Sequence, residues 1–189
     1  MISLIIPVKP GLTPQAVQRI KALAWPSEQF ELLIAEGTNP GRQRNQAAQQ
    51  AQGEILYFLD DDSLVVPDAL QRIERHFEDS SVVAVGGPSL TPASDTLLQR
   101  AIGAVLSSML GAGGVRNRYR AEGAVRQTTE RELILCNLAI RRDAFLAAGG
   151  LDERLYPNEE NELLDRLQKQ GGRLLHDPAL SVERSQRES

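Results

Sequence analysis

The sequence has only one cysteine and no long apolar run, and each of these two features excludes classes of protein. Its single cysteine, Cys136, excludes an internal disulfide and any multi-cysteine metal site. A chain without disulfides fits a reducing compartment, so we expect it in the cytoplasm. No apolar run approaches the ~20 residues of a membrane-spanning helix. A G-x-G-x-x-G loop is also missing after the first apolar run, which argues against a Rossmann dehydrogenase.

Size, charge and the two chain ends set further limits. A length of 189 residues with 41% hydrophobic residues predicts one globular domain over residues 1–189. The net charge of −4 gives no general affinity for nucleic acid, so we expect no nucleic-acid partner. Residues 1–7 lack the charged and long apolar regions of a signal peptide and predict a strand. The polar end, residues 184–189, is compatible with a natural chain that continues toward a membrane-anchoring region.

Apolar runs alternate with helical patterns along most of the chain. The runs that predict buried strands cover residues 3–8, 30–35, 54–59, 82–85, 133–140 and 173–176. Thr13 is predicted to cap the first helix, with Pro14 at its first position. Strands separated by helices of about a dozen residues imply right-handed crossovers. The sequence therefore predicts an α/β fold with a mostly parallel central sheet flanked by helices.

The segment 53–63 organises the chain, because an apolar run ends there in three consecutive carboxylates, Asp60, Asp61 and Asp62. An apolar run without alternation is typical of a strand buried on both faces of a parallel sheet. Ligands of open α/β sheets bind at the carboxyl edge of the strands. Adjacent carboxylates repel one another, and Mg²⁺ or Mn²⁺ would relieve that repulsion and bridge phosphate oxygens. From the residues alone, a metal site and a solvated acidic turn before the next helix are about equally favoured.

A second acidic cluster, Glu159, Glu160 and Glu162, opens a predicted helix. Carboxylates at a helix start interact favourably with the helix dipole and with the free N–H groups. This interaction accounts for one or two of the three carboxylates. The surplus indicates a functional carboxylate at this position.

Apolar residues recur at helical spacing between Leu97 and Leu110, and an arginine-rich segment follows between Val115 and Glu132. For the helix, packing against the core is favoured over a membrane-facing role, because an amphipathic helix is commonly half-buried. The arginine-rich segment is long enough to suggest a functional or mobile loop.

Several short phrases occur in a fixed order along the chain and point to one family. They are the strand at residues 3–8, the pair Arg44-Asn45, the acids 60–62, the segment 137–142, the phrase 149–154 and the acidic pair 159–160. Together they resemble the family-2 glycosyltransferases of the GT-A fold over nearly the whole chain. In that family, the position of Asp60-Asp61-Asp62 carries a D-x-D motif.

The resemblance implies a metal-dependent, inverting transfer of a sugar from a nucleotide-diphosphate donor to a hydroxyl acceptor, with a UDP-sugar as the favoured donor. It implies Mn²⁺ or Mg²⁺ as cofactor, held by Asp62 and Asp60, and Glu160 as the catalytic base. The residues implied to contact the donor are Pro7, Glu36, Arg44, Asn45, Asp60, Asp61, Glu159 and Arg184.

Within the family, the helix from Asp95, the glycines at 111–114 and the arginine-rich segment look most similar to membrane-associated transferases of exopolysaccharide synthesis, of the succinoglycan type. This narrower resemblance implies a saccharide or polyprenyl-diphosphate-linked acceptor. It also implies a position at the inner face of the plasma membrane.

Three residues depart from the family pattern. Glu36 stands where an aspartate is usual, Glu160 replaces the aspartate of a Glu-Asp pair, and Arg184 lies where a histidine is frequent. The departure at Glu160 keeps open a non-catalytic domain that binds sugar nucleotides. A nucleotidyltransferase is the other alternative, but residues 8–13 contain a single glycine where a triphosphate loop needs several.

Overall fold

The computed structural model describes residues 1–23 and 25–186. Its strands are β1 (Ile2–Val8), β2 (Phe30–Glu36), β3 (Ile55–Leu59), β4 (Leu64–Val65), β5 (Val82–Gly86), β6 (Ser89–Leu90), β7 (Arg126–Gln127), β8 (Asn137–Arg141), β9 (Arg173–His176) and β10 (Val182–Glu183). Seven strands form the main sheet in the order β2-β1-β3-β8-β5-β9-β7. β1 is parallel to β2 and β3, and β5 is parallel to β9, whereas β8 lies antiparallel between β3 and β5. β7 is antiparallel to β9, so the sheet is mixed, with β7 and β8 running against the other five strands. The predicted α/β class with a central sheet flanked by helices is confirmed.

Helices cover both faces of the main sheet. They are α1 (Ala16–Lys21), α2 (Pro40–Gln50), α3 (Ala69–Phe77), α4 (Leu97–Ser107), α5 (Met109–Ala112), α6 (Arg142–Ala147) and α7 (Glu159–Lys169). One apolar core packs α1 and α3 on one face, and a second core packs α2, α6 and α7 on the other. In β3, Tyr57 belongs to the first core and Phe58 to the second, so this strand is buried on both faces as predicted.

The antiparallel strand β8 brings a further segment to the carboxyl end of β3. Leu59, the last residue of β3, pairs with Asn137, the first residue of β8. The residues just before β8 therefore lie beside the residues just after β3. The sequence predicted a strand from residue 133, but β8 begins at Asn137 and residues 134–136 belong to this edge of the sheet.

A small second sheet brings the end of the described chain to the same place. β10 pairs antiparallel with β4 and parallel with β6. In this ladder Glu183 pairs with Leu64, two residues after Asp62. The residue that follows β10, Arg184, is consequently placed next to the three aspartates.

Two elements differ from their predicted form. β2 is a half-buried edge strand and not a buried one, because it pairs only with β1 among the described strands. α1 begins at Ala16, after the predicted cap Thr13. The backbone N–H of Ala16 donates to the carbonyl of Asp61, so the turn after β3 takes over the role of the cap.

The helical pattern between Leu97 and Leu110 forms α4 and α5, and its apolar residues face outward. The exposed members, which we call the apolar stripe, are Leu97, Leu98, Val105, Met109 and Leu110. Leu97 is 83% exposed and Met109 is 66% exposed, so the prediction of core packing is wrong. The contact of α4 with the domain involves Gly103, where a Cβ would lie 2.2 Å from Thr91 Oγ1. Among the described helices, α4 included, none has the length and apolar content needed to cross a membrane.

Candidate functional site

A cleft of about 590 Å³ lies at the carboxyl ends of β1 and β3. It is also lined by the start of α2, the segment before β8 and the start of α7. Most of the residues predicted for the site line this cleft: Pro7, Arg44, Asp60, Asp61, Asp62, Glu159, Glu160 and Arg184. The expected ligand edge of the sheet thus gathers charged residues from distant parts of the chain.

The three aspartates lie on a turn whose backbone is held in place. We call residues Asp60–Ser63 the acid turn. Ser63 N donates to Asp60 O over 3.2 Å, which closes the turn. Ser63 Oγ donates to Cys136 O over 2.9 Å and so fastens the turn to the segment before β8. The carboxylates are therefore presented to the cleft from a fixed backbone.

Carboxylates and guanidinium groups alternate along the cleft. Arg44 Nη2 donates to Asp60 Oδ1 over 2.6 Å, and Arg44 Nη1 lies 3.8 Å from Glu159 Oε1. Arg184 Nη2 lies 3.1 Å from Asp60 Oδ2, and Arg184 Nε donates to Asp62 Oδ1 over 2.7 Å. Each of these three carboxylates consequently has a positive charge beside it.

Asp61 makes no ion pair with the residues that the structure describes. Partial burial raises the pKa of its carboxyl, and the negative charges of Asp62 and Asp60 raise this pKa further. A ligand that donates a hydrogen bond or carries positive charge would relieve this repulsion. Asp61 is therefore available for contact with a donor molecule.

Glu160 is a nearly buried carboxylate in the first turn of α7, with 7% of its surface exposed. Burial raises the pKa of Glu160, and the neighbouring charge of Glu159 adds to the increase. Arg118 Nη1 lies 3.8 Å from Glu160 Oε1, which is too far for a hydrogen bond. The positive charge of Arg118 lowers the pKa of Glu160, but the net shift is still upward. A carboxylate with a raised pKa is the stronger proton acceptor once it is ionised.

Glu159 and Arg44 each keep one buried polar atom without a partner among the described residues. The side chain of Glu159 is 4% exposed, and its Oε2 has no hydrogen-bond partner within the described part of the chain. Arg44 Nε is buried and unsatisfied in the same way. Such atoms are uncommon, because an unsatisfied buried polar group is costly. Both residues line the cleft, although these two atoms are themselves shielded from solvent.

Arg184 is held in the cleft by both its backbone and its side chain. Its N–H donates to Leu90 O over 2.9 Å, which continues the pairing of β10 with β6. Burial by itself would lower the pKa of Arg184, but the carboxylates of Asp60 and Asp62 outweigh it and raise the pKa above its usual range. The guanidinium is therefore a permanent positive charge on the acid turn.

Two of the residues expected to contact the donor lie outside the cleft lining. The side chain of Glu36 is exposed at the end of β2, beside Gly37 and Thr38, which do line the cleft. Asn45 Nδ2 donates to Leu151 O and its Oδ1 accepts from Leu151 N, each over 2.9 Å. The structure thus gives Asn45 a structural task, because it fastens the turn after α6 to α2.

The cleft also contains residues that the sequence did not single out. Lys9 lines it directly after β1, a position that the ligand-edge rule could have indicated. Gln43 is buried and donates through Nε2 to the carbonyls of Val8 and Ala35, so it fixes the ends of β1 and β2. Arg118, from the arginine-rich segment, does not line the cleft, but it donates to Asn161 Oδ1 over 2.5 Å and is thereby fixed near Glu160.

Cys136 lines the cleft but is not a nucleophile. Burial raises the pKa of its thiol to about 12, so the reactive thiolate does not form at neutral pH. Its backbone carbonyl, which accepts from Ser63 Oγ, is the part of the residue that contributes to the site.

The residues at the acid turn do not match the ligand set of a divalent metal ion. Both oxygens of Asp60 and one oxygen of Asp62 already contact guanidinium groups. Within residues 1–23 and 25–186, no three His, Cys, Asp or Glu side chains come together as metal ligands. Arg184 would have to leave both aspartates before a cation could occupy this place.

Comparison with solved structures supports the fold. Residues 1–349 of S. aureus TarS in complex with UDP-GlcNAc match with a TM-score of 0.71 and 14% identity, over 100% of this chain and 59% of that one. The mannosyltransferase PcManGT from Pyrobaculum calidifontis, in complex with GDP-Man and Mn²⁺, matches with a TM-score of 0.70 and 16% identity, over 99% of this chain and 57% of that one. The chain thus spans less than two thirds of the length of either structure. No curated protein matches its sequence.

The sequence itself matches the model of one protein family. The match to "Glycosyl transferase family 2" covers residues 5–147, which include the second half of β1, the acid turn and β8. This is more than half of the chain. The chain therefore belongs to glycosyl transferase family 2.

Proposed function

We propose that the chain is an inverting glycosyltransferase that moves a sugar from a UDP-sugar to a hydroxyl acceptor. The observation that carries the proposal is the cleft in which the nearly buried Glu160 and the acid turn lie together. A non-catalytic nucleotide-binding domain would not need a buried carboxylate with a raised pKa at this position.

The donor is proposed to lie along the carboxyl ends of β1 and β3. The nucleoside would enter past Pro7 and the end of β2, near Glu36. The diphosphate would lie close to the cations of the cleft, which are Lys9, Arg44 and Arg184. Asp60 and Asp61 would accept hydrogen bonds from the donor hydroxyl groups, as the oxygen atoms of carboxylates do for sugars.

Glu160 is proposed to act as the general base. Its carboxylate accepts the proton of the acceptor hydroxyl as the oxygen attacks the anomeric carbon. The bond to the diphosphate breaks on the opposite face of the sugar, so the configuration at this carbon inverts. Glu159, which lines the cleft, is proposed to receive a sugar hydroxyl and orient the ring.

The expected Mn²⁺ or Mg²⁺ on Asp62 and Asp60 stays a prediction. In its favour, PcManGT is in complex with Mn²⁺. Against it, Arg184 contacts both aspartates. For this reason, no step of the proposed reaction depends on a metal ion.

The acceptor is proposed to be a lipid-linked saccharide at the inner face of the plasma membrane. The apolar stripe is exposed and lies on helices that precede the arginine-rich segment. An exposed apolar surface next to positive charge suits the boundary between acyl chains and anionic headgroups. An arginine of this segment, Arg118, also approaches Glu160.

The test of the proposed function is a panel of nucleotide sugars. Each is added to the protein in the presence and absence of Mn²⁺, and binding is followed as a shift in thermal unfolding. Release of the nucleoside diphosphate is then measured with polyprenyl-linked and free saccharide acceptors. We expect one UDP-sugar to stabilise the protein and to turn over. If no nucleotide sugar shifts the unfolding temperature, the proposed function is wrong.

A further inference from the structure

We propose that the guanidinium of Arg184 is the built-in cation for the donor diphosphate, so that this chain binds its nucleotide without a divalent metal ion. The inference rests on the proposed function, because it concerns the same cleft and the same donor. It also gives a role to Arg184, which stands where the family frequently has a histidine.

The position of Arg184 is set by the backbone. β10 pairs with β4, the strand that directly follows the acid turn, and Glu183 is paired with Leu64. On the other side, Arg184 N donates to Leu90 O. With both neighbours fixed, the side chain of Arg184 enters the cleft at the carboxylates of Asp60 and Asp62.

Arg184 contacts the two carboxylates that were predicted to hold a metal ion, Asp60 and Asp62. Its Nε and Nη2 bridge Asp62 Oδ1 and Asp60 Oδ2 at 2.7 and 3.1 Å. The remaining oxygen of Asp60 receives a hydrogen bond from Arg44. A divalent cation would therefore meet two guanidinium groups and at most one free carboxylate oxygen of this pair, which is a poor site for a hard cation.

Part of the guanidinium is free to bind an anion. The side chain of Arg184 is 20% exposed and lines the cleft, and its Nη1 makes no hydrogen bond within the described part of the chain. Arginine binds phosphate through a planar fork and keeps its charge at any working pH. Arg184 can therefore join the acid turn to a diphosphate, which the carboxylates alone would repel.

Calorimetric titration with UDP and with GDP tests the inference. Wild-type protein and the Arg184→Ala and Arg184→Lys variants are titrated in EDTA and again in Mn²⁺. We expect the wild type to bind one nucleotide equally well in both buffers. In EDTA, Arg184→Ala should lose about 10- to 100-fold in affinity, as expected for a lost hydrogen bond to a charged group.

Adding Mn²⁺ should restore part of the affinity of Arg184→Ala, because the variant leaves Asp60 and Asp62 without Arg184. Arg184→Lys keeps the charge without the fork and should lose less. The matched control is Arg173→Ala, which removes a guanidinium that pairs with Asp79 at the surface, outside the cleft. Its affinity should equal that of the wild type.

Two results overturn the inference while leaving the proposed function intact. One is a wild type that binds a nucleotide in Mn²⁺ but not in EDTA. The other is an Arg184→Ala variant that binds in EDTA as tightly as the wild type. If neither UDP nor GDP binds in either buffer, the inference falls together with the proposed function. If Arg184→Ala does not fold, the titrations of the wild type and of Arg184→Lys in the two buffers decide the outcome.

Discussion

Replacing Glu160 with glutamine is expected to slow catalysis strongly while keeping the fold and donor binding. Glutamine has the shape and hydrogen-bonding capacity of the glutamate but no basicity. The side chain lies at the start of α7 with only 9% of its surface exposed, so an isosteric replacement fills the same space. The change therefore removes the proton acceptor alone.

The expected loss of turnover is about 10²–10⁴-fold, the usual contribution of a general base. This corresponds to about 3–5 kcal/mol of transition-state stabilisation. The loss should fall on kcat, because the donor contacts lie elsewhere in the cleft. The assay is the release of nucleoside diphosphate with the donor and acceptor found by the screen.

The same variant should gain stability at neutral pH. The pKa of Glu160 is raised in the folded state, above its value in the unfolded chain. The protonated form is thus favoured by folding, and this contribution is lost as the pH rises through the folded-state pKa. Glutamine cannot ionise, so Glu160→Gln should unfold at a higher temperature than the wild type near neutral pH. The difference should vanish in acid.

The matched control is Glu162→Gln, two residues further along the same helix. Glu162 pairs with Arg166 over 2.5 Å and does not line the cleft, so turnover should not change. Wild-type turnover by Glu160→Gln would refute the assignment of the base. A variant that is less stable than the wild type at neutral pH would show instead that Glu160 is a structural cap.

Two further predictions concern stability and membranes. Tyr57 donates to Asn137 Oδ1 over 2.7 Å in the core. Tyr57→Phe should therefore lower the free energy of unfolding by about 1–3 kcal/mol and the unfolding temperature by about 2–12 °C. An unchanged unfolding temperature would show that this hydrogen bond contributes nothing to stability. Leu97→Glu combined with Leu110→Glu in the apolar stripe should abolish flotation with anionic liposomes, whereas Val125→Glu, an exposed apolar position outside the stripe, should not. Equal flotation of both variants would contradict a membrane-facing stripe.

The sequence was informative where the signal is local. An apolar run without alternation identified β3, and the acids that follow it lie on the predicted edge of the sheet. The acidic surplus at residues 159–162 likewise indicated the start of α7, and Glu159 and Glu160 do line the cleft. In both cases, neighbouring residues along the chain carry the information.

Other features depend on contacts between distant residues, which no local pattern contains. The antiparallel insertion of β8 between β3 and β5 is a matter of pairing order. β4 and β10 have two residues each, too few to show a period, yet they place Arg184 on the acid turn. An apolar stripe has the same helical spacing whether it packs against the core or faces outward. Periodicity therefore favoured core packing for residues 97–110, although the apolar stripe is exposed.

One cleft is proposed to hold both the donor diphosphate and the base. The most direct test is a crystal structure of the protein with the UDP-sugar that the screen identifies. We expect the diphosphate to contact Arg184, and the anomeric carbon to lie between the diphosphate and the carboxylate of Glu160. A nucleotide bound instead in the separate cleft formed by Asn45 and residues 149–153, or a sugar that faces away from Glu160, would contradict this proposal.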